Sequence, residues 1–265
     1  MRTGSAVLVL HTICIPWLAS GLGLSGSSNY MRAQRLLPES GPVLELITPD
    51  GSAAQPSTHL AQKIRAAVSG GVRLVQIRDT TSSAESKHAL ATQLLLDLAA
   101  EPCCIVLNGG VDAALACGAH GVHLPERLLP EVTRAREALA VVGCSVHSVE
   151  AAVAAARLGA DYLQVGTMFA TQTHPGKVPE GPQLLAAIRA ALNQAHARGE
   201  LSDKRVLLLG VGGINEANCA QVIQAGGDGV AAIRSLCGAD GSDPRAVAQA
   251  LLAALQSAAT PACPS

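Results

Sequence analysis

Apolar and polar positions alternate along the chain in a repeating order that begins at Leu44. Short runs rich in Val, Ile and Leu predict β-strands, and each is followed by an Ala- and Leu-rich stretch with helical periodicity. The predicted strands are residues 44–48, 74–78, 105–108, 121–124, 141–147, 162–166, 206–211 and 229–234. The predicted helices are residues 59–69, 84–100, 111–117, 129–139, 149–158, 183–198, 216–224 and 244–255.

This strand–helix order predicts an α/β fold with a parallel sheet, because parallel strands need a crossover connection between them. Eight strands, each followed by a helix, is the count of a (β/α)8 TIM barrel, which commonly takes about 250 residues. A doubly wound open sheet is the alternative, but it usually has fewer strands, and no GxGxxG motif follows the first predicted strand. We therefore predict a barrel.

Alternation within three strands predicts which side chains face the barrel axis. Along residues 141–147, Ser145 and His147 share the face toward the axis, and the apolar residues between them face the helices. Gln76 and Arg78 share one face of the second strand, and Gln164 lies on the polar face of the sixth. Because the carboxyl ends of barrel strands meet at one rim, we expect a polar site there.

Composition and charge narrow the class of protein. The formal net charge is −1 and no basic run is present, so binding to nucleic acid through a phosphate-neutralising patch is not expected. Aromatic residues make up 2% of the chain, so the core must be built from Val, Ile, Leu and Ala. The eight cysteines show no CxxC or Cys/His metal spacing, and we interpret them as small buried residues in a reducing compartment, such as cytoplasm or organelle stroma.

The first forty residues differ from the rest of the chain. Arg2 precedes a mostly apolar stretch, and no acidic residue occurs before Glu39, which predicts a cleaved targeting segment over residues 1–40. The alternatives are a transmembrane anchor, a disordered tail, or a start-codon artefact with Met31 as the true initiator. We expect no stable membrane span, a barrel domain over residues 41–257 and a disordered tail over residues 258–265.

A phosphate site is predicted at the ends of the seventh and eighth strands. Loops in these two places of a barrel commonly bind phosphate through backbone N–H groups, and glycine allows the backbone to approach the anion closely. The alternative is that the glycines only form tight turns. The predicted phosphate-binding residues are Gly212, Gly213, Ile233, Arg234 and Ser235.

His147 is the strongest candidate for an acid/base residue, because an imidazole can take and return a proton at the end of an inward-facing strand. A purely structural histidine is the alternative. His123 also ends a strand, and a core or hydrogen-bonding role is favoured for it. His174 lies in a loop, where contact with ligand phosphate and simple solvation are both open.

Other polar side chains near the strand ends suit an anionic ligand. The Arg78 guanidinium suits a carboxylate or phosphate, and the alternative is an ion pair with Asp79 or Glu126. Thr171 and Thr173 offer hydroxyl donors to phosphate, and turn capping is the alternative.

Carboxylates that could form a metal site are scarce near the predicted strand ends. Glu126 offers one oxygen donor, whereas Asp112 is predicted to open a helix. Mg²⁺ usually needs carboxylates as well as substrate phosphates. We therefore predict no metal site and no resident cofactor.

Several segments together resemble one known superfamily. They are VQIR at 75–78, GVHLPE at 121–126, GCSVHS at 143–148, ADYLQVGTMFATQTHPG at 160–176, GVGGI at 210–214 and DGVAAIRSL at 228–236. In order and spacing they resemble the thiamine-phosphate synthase/thiazole tautomerase (TenI-type) superfamily, over about residues 44–255. The resemblance implies a phosphate-binding (β/α)8 barrel of thiamine biosynthesis whose ligand is a phosphorylated thiazole.

The synthase branch of this superfamily joins a pyrimidine pyrophosphate to a thiazole phosphate. The resemblance implies that a Lys and Mg²⁺ bound by Asp residues stabilise the departing pyrophosphate. This chain departs from that pattern, because the corresponding positions hold Thr80, Gly109, Glu126 and Leu128, and His174 replaces a Lys often seen there. The ligand contacts implied by the resemblance are kept at Arg78, Asn108, Ser145, Thr171 and Thr173.

The tautomerase branch resembles this chain at the SVHS segment, which implies that His147 is the proton carrier. Its reaction moves a double bond into the thiazole ring and needs proton transfer without a metal or a leaving group. We therefore predict a metal-independent thiazole tautomerase. The alternatives are a divergent thiamine-phosphate synthase, which would need Mg²⁺, and a non-catalytic regulatory barrel that binds a phosphorylated ligand. Assembly into a homo-oligomer is left open.

Overall fold

A computed structural model of the chain describes residues 37–38, 41–54, 58–173, 176–238 and 241–260. Within these residues eight parallel strands pair in chain order, and β1 pairs with β8 to close a barrel. This confirms the predicted (β/α)8 TIM barrel. The strands are β1 (Val43–Ile47), β2 (Leu74–Ile77), β3 (Cys104–Asn108), β4 (Gly121–Leu124), β5 (Val141–Val146), β6 (Tyr162–Val165), β7 (Leu207–Val211) and β8 (Gly229–Ala232).

A helix follows every strand in the described part of the chain and covers the outside of the barrel. These helices are α1 (Thr58–Ser69), α2 (Ala84–Asp97), α3 (Val111–Ala116), α4 (Val132–Ala138), α5 (Val149–Leu158), α6 (Gly181–Ala197), α7 (Cys219–Gln224) and α8 (Pro244–Ala259). None of the helices in these described ranges is long and apolar enough to cross a membrane.

The structure differs from the predictions at 129–139 and at the tail 258–265, besides shifts of up to three residues at other helix ends. The predicted helix 129–139 is split into a 3-10 helix, Glu126–Glu131, and α4, because Pro130 has no N–H to donate to an α-helical bond. Helix α8 continues to Ala259, so the first residues of the predicted tail 258–265 are helical. The predicted targeting segment 1–40 lies outside the described residues, apart from 37–38.

Two apolar layers hold the barrel together. The larger layer lies between the strands and the helices and includes Val142, Cys144 and Val146, so the predicted alternation along β5 is confirmed. The smaller layer fills the lower half of the barrel interior with Val43, Leu74, Cys104, Val106, Val141, Tyr162 and Leu209. The cysteines in the described part are all buried and free, in agreement with their interpretation as small core residues.

A glycine makes room for the largest side chain of the interior layer. A Cβ placed on Gly143 would lie only 2.0 Å from Cζ of Tyr162, so any side chain at this position would collide with the ring. The Tyr162 hydroxyl thereby reaches Nδ1 of the buried His123, at 3.0 Å. This contact begins the polar zone that lies above the interior layer.

At the amino-terminal rim of the strands, two carboxylates, Asp161 and Asp228, are each paired with two cations. Asp161 is buried, accepts a hydrogen bond from the Val142 N–H at 2.7 Å, and pairs with Arg136 at 2.7 Å and with Lys204. Asp228 pairs in the same way with Arg189 and Arg205. The backbone and ion-pair contacts tie the strand starts to the helices around them.

Candidate functional site

A cavity of about 550 Å³ opens at the carboxyl-terminal rim of the strands. This is the rim at which the sequence predicts a polar site. Every residue predicted in that site lines the cavity: Arg78, Asn108, Ser145, His147, Thr171, Thr173, Gly212, Gly213, Ile233, Arg234 and Ser235. The fold therefore brings these residues together from strands that are far apart in sequence.

The glycine turn after β7 is compatible with both roles considered for these glycines, phosphate binding and the formation of a tight turn. Gly212 and Gly213 have φ angles of 99° and 66°, which favour glycine because a Cβ is strained there. A Cβ on Gly213 would also lie 2.5 Å from the carbonyl oxygen of Ala170. The glycines are thus required by the turn itself, and the same turn lines the cavity beside Arg234 and Ser235.

His147 is held at the cavity wall between a strand and a helix. Strand β5 ends at Val146, and Ser148 caps α5 by accepting a hydrogen bond from the Ala151 N–H at 3.1 Å. Oε2 of Glu126 accepts from the His147 backbone N–H and lies 2.8 Å from Nδ1 of its ring. Within the described residues, the ring of His147 has this contact through Nδ1 and no protein partner at Nε2.

Arg78 pairs with a carboxylate other than the ones predicted. Its guanidinium lies 3.3 Å from Asp50, not against Asp79 or Glu126. Asp50 also accepts from the Thr80 N–H and hydroxyl, both at 2.8 Å, so it lies near the cavity rim with its oxygens engaged.

Asp79 instead organises the loop that follows β2. Burial opposes its charge, but hydrogen bonds from the Ser82 hydroxyl and from the backbone N–H groups of Ala53 and Gly51 outweigh burial and hold the pKa of Asp79 well below its usual range. The carboxylate is therefore fixed as an anion inside the loop. Because these hydrogen bonds occupy it, it is not available to Arg78.

The cavity floor is a set of hydrogen-bonded side chains. Nε2 of Gln164 donates to Oε1 of Gln76 at 2.6 Å, and Nε2 of Gln76 donates to Oδ1 of Asn108 at 2.9 Å. Beside them, Oγ of Ser145 lies 2.8 Å from Nε2 of His123. These contacts hold Asn108 and Ser145 in place at the floor.

His123 has the core role that the sequence favoured for it. The side chain is fully buried, and burial, together with the charge of Arg78, lowers its pKa to about 3. The imidazole is therefore neutral at physiological pH. Its two nitrogens are both occupied, by Ser145 and Tyr162, so it serves the floor as a hydrogen-bonding bridge.

The β6–α6 loop adds residues that the sequence analysis missed. Lys177 and Gln172 line the cavity, as does Thr167, and Lys177 also pairs with Glu180 at 3.0 Å. A lone basic residue in a Gly- and Pro-containing loop gave no pattern that could place it. Thr171 accepts from the Thr173 N–H at 3.2 Å, which is the turn-capping role considered above, and His174 lies outside the described residues.

The donor set of the cavity does not fit Mg²⁺. Its described lining residues include the cations Arg78, Lys177 and Arg234 and no carboxylate. No cluster of three or more His, Cys, Asp or Glu side chains suited to a metal occurs in the part of the chain that the structure describes. Asp112 lies in the first turn of α3, as predicted, and pairs with Arg134. Mg²⁺ prefers carboxylate oxygens, so this lining favours an anionic ligand directly.

Comparisons with known proteins agree with this architecture. The family model described as thiamine monophosphate synthase matches residues 44–236. The thiamine-phosphate synthase of Haloquadratum walsbyi is 34% identical over 215 residues, covering 79% of this chain and 88% of that protein. That of Natronomonas pharaonis is 36% identical over 207 residues, covering 75% and 89%. The solved thiamine phosphate pyrophosphorylase from Pyrococcus furiosus superposes with a TM-score of 0.64 at 25% identity, covering 86% and 98%.

Proposed function

The chain belongs to the thiamine monophosphate synthase family, and we propose that it binds a phosphorylated thiazole and moves a proton on that ring by means of His147. The single observation that carries the proposal is the pair formed by His147 and Glu126 at the wall of a cation-lined cavity. Such a pair is suited to acid–base chemistry, because the carboxylate orients the imidazole and supports the charge it gains.

In this proposal the ligand phosphate lies at the β7–β8 side of the cavity. Backbone N–H groups of the Gly212–Gly213 turn and the side-chain hydroxyl of Ser235 donate to the phosphate oxygens. Arg234 and Lys177 supply positive charge. With the phosphate held there, the thiazole ring extends toward the ends of β5 and β2, whose neighbours His147 and Arg78 also line the cavity.

His147 then carries the proton between two atoms of the ring. Its Nδ1 is engaged by Glu126, so Nε2 removes a proton from one ring position and returns it at another. Arg78 and Asn108 stabilise the negative charge that develops on the substrate between the two transfers, a task for fixed donors in a partly enclosed site. The proposed reaction is a metal-independent tautomerisation, and no cofactor takes part.

Coupling of a pyrimidine pyrophosphate to the thiazole phosphate is the second candidate function. The names of the relatives favour it, because those at about 35% identity are thiamine-phosphate synthases. The cavity favours tautomerisation instead, since its described lining offers no carboxylate for the Mg²⁺ that pyrophosphate departure usually needs. For this candidate Arg78, Lys177 and Arg234 would have to neutralise the leaving group themselves.

Purified protein assayed for both reactions, each with and without Mg²⁺, separates the two candidates. We expect tautomerisation of a thiazole phosphate carboxylate that is unaffected by chelation, and negligible coupling. The variants His147→Ala and Glu126→Gln should both lose rate, the first more than the second. Mg²⁺-dependent coupling at an enzymatic rate would overturn the proposal in favour of the synthase, and binding of the ligand without either reaction would favour a regulatory barrel.

A further inference from the structure

The carboxyl of Glu45 lies inside the barrel, in the polar zone below the cavity floor. Glu45 is fully buried on β1 and pairs in register with Leu74 of β2 and Ala231 of β8. Neither oxygen forms a hydrogen bond of ordinary geometry with any group in the described residues. The polar groups that act on this carboxyl are the amide of Gln164 and the hydroxyl of Tyr162. A buried acid without a firm partner is rare enough to require a reason.

Two series of hydrogen-bonded side chains connect the surroundings of Glu45 to the cavity. The first, which we call the amide series, consists of Gln164, Gln76 and Asn108. The second, the imidazole series, consists of Tyr162, His123 and Ser145. Each series begins at a group that acts on Glu45 and ends at a residue that lines the cavity.

The amide series has a definite direction. Gln164 donates to Gln76, and Gln76 donates to the carbonyl oxygen of the Asn108 side chain. The amide hydrogens of Asn108 are therefore the end of the series, and they are available to a ligand in the cavity. At the lower end, the second N–H of Gln164 is available to one oxygen of Glu45.

The imidazole series can run in two directions, because each of its members both donates and accepts. In the outward direction the Glu45 acid donates to Tyr162, Tyr162 donates to Nδ1 of His123, and Nε2–H of His123 donates to Ser145. The Ser145 hydroxyl hydrogen then points into the cavity. In the inward direction every hydrogen is reversed, and Ser145 offers the cavity only acceptor lone pairs.

The charge states of the buried groups select between these directions. Burial raises the pKa of Glu45 to about 8 and lowers that of His123 to about 3, so both are neutral at pH 7. Other titratable groups around them are neutral or paired: burial raises the pKa of Tyr162 and of the Cys104 thiol, Asp161 is matched by Arg136 and Lys204, and Arg78 acts on His123 from the rim.

We propose that Glu45 is a positioning residue which, as a neutral acid, directs the imidazole series outward, so that Ser145 and Asn108 both present hydrogen-bond donors to an anionic ligand. In this proposal the neutral acid accepts from Gln164 at its carbonyl oxygen and donates its single hydrogen to Tyr162, the two groups that act on the carboxyl. The inference rests on the proposed function only in requiring that the ligand is an anion.

Ionisation of Glu45 reverses the imidazole series. A carboxylate is an acceptor only, so Tyr162 must turn its hydrogen toward Glu45, and His123 must donate from Nδ1. One proton leaves Glu45 for solvent, and the single hydrogen of the neutral imidazole moves from Nε2 to Nδ1. Ser145 then donates to Nε2 of His123 and ceases to be a donor to the ligand.

Nitrogen-15 NMR of the full chain tests the proposal without any ligand, because the imidazole nitrogen shifts report which nitrogen carries the hydrogen. We expect the Nε2–H form of His123 at pH 6.5 and the Nδ1–H form at pH 9.5, with His123→Asn used to assign the signals. The same tautomer at both pH values would overturn the proposal, and this comparison is made on the unmodified protein.

Two variants connect the change to Glu45. Glu45→Gln keeps a donor and an acceptor but cannot ionise, so His123 should keep its Nε2–H form from pH 6.5 to 9.5. Tyr162→Phe keeps the acid but interrupts the imidazole series, so the tautomer of His123 should again be independent of pH. If His123 changes tautomer in Glu45→Gln as it does in the unmodified chain, Glu45 does not direct the series.

Calorimetry with a thiazole phosphate adds the functional readout. Between pH 7.5 and 9.5 the unmodified protein should lose about three- to tenfold in affinity, the effect of losing one hydrogen bond, whereas Glu45→Gln should lose less than twofold. Equal losses in both proteins would contradict the proposal. No binding at any pH would refute the proposed function instead, and the NMR result would still decide whether Glu45 directs the series.

Discussion

The two rims of the barrel differ in the charged side chains that they carry. At the amino-terminal rim Asp161 and Asp228 are each paired with two cations, and Asp161 also accepts from a backbone N–H. At the carboxyl-terminal rim the described cavity lining carries cations without a carboxylate among them. Removing one partner of a buried ion pair destabilises a fold. Cations around a cavity instead attract an anion from outside, although Arg78 and Lys177 here also contact Asp50 and Glu180. We therefore expect the amino-terminal rim to contribute mainly to stability, and we propose the carboxyl-terminal rim for ligand binding.

The sharpest test of this division is the removal of the proposed acid–base group, His147, from the carboxyl-terminal rim. We expect His147→Ala to lower the rate of tautomerisation by about 10²–10⁴-fold, the usual loss for a missing general acid–base. Its free energy of unfolding should change by less than about 0.5 kcal/mol, because the side chain is 50% exposed. Steady-state kinetics and urea unfolding measure the two quantities.

His196→Ala, on the exposed outer part of α6, is the matched control and should change neither quantity. If His147→Ala keeps the rate of the unmodified enzyme, the residue is structural and another group carries the proton.

A substitution at the amino-terminal rim should have the reverse effect, a loss of stability without a loss of ligand affinity. Asp161→Ala leaves the Val142 N–H without its acceptor and separates Arg136 and Lys204 from their anion. We expect a loss of about 2–4 kcal/mol in the free energy of unfolding, near the range for breaking a buried pair. The affinity for thiazole phosphate should remain within twofold, measured by calorimetry on the folded variant.

Asp203→Ala changes an exposed carboxylate near the same rim and should cost less than about 0.5 kcal/mol. A loss of ligand affinity in Asp161→Ala that exceeds its loss of stability would show that the two rims are coupled.

A smaller effect is expected from the β8 side of the cavity. Ser235→Ala should weaken the binding of a thiazole phosphate by about 10- to 100-fold, since a hydrogen bond to a charged group contributes about 1.5–3 kcal/mol. The dephosphorylated alcohol should bind as before. Ser235 is a cleaner choice than Gly213, where any side chain would strain the turn. Ser257→Ala on α8 is the control. Equal weakening of phosphate and alcohol would place the phosphate elsewhere.

The smallest effect concerns pH and stability. The pKa of Glu45 is raised by burial to about 8, above the unfolded value near 4.5, so the folded state binds more protons in that interval and loses stability as pH rises. His123 has the opposite sign below pH 6.5, because its folded pKa is lowered to about 3. Between pH 6.5 and 8, therefore, the titration of Glu45 lowers the free energy of unfolding with rising pH, and His123 does not offset this change.

In this interval the unmodified chain should lose up to about 1 kcal/mol of stability per pH unit relative to Glu45→Gln. Urea unfolding of both proteins at pH 6.5 and 8 gives the comparison. Parallel stability curves for the two proteins would mean that Glu45 does not titrate in this range.

The sequence predicted the barrel because each strand is a continuous apolar run, and burial on both faces leaves few other arrangements for such runs. It predicted that Ser145 and His147 line one cavity, because strand parity places them on the same face. It could not predict the Arg78–Asp50 pair, since those residues belong to different strand ends and meet only after the barrel closes. Lys177 was missed for a different reason: it lies in a loop, and a loop has no periodicity from which the direction of a side chain follows.

Glu45 gave a sequence signal that is plain in retrospect. It is the single charged residue within the apolar run of β1, VLELI, and a charge at the centre of a buried strand indicates either a partner or a shifted pKa. The partners themselves come from β6, far along the chain, so only the folded barrel identifies them.

The apolar interior layer, with Tyr162 filling the space left by Gly143, also determines how a ligand can enter and leave the cavity. This layer closes the barrel below the cavity floor, so within the described residues the cavity opens only at the carboxyl-terminal rim. Substrate and product must therefore use the same entrance, one after the other. An enzyme of this shape should show purely competitive product inhibition, and a larger substituent on the ligand should slow its arrival and its departure alike.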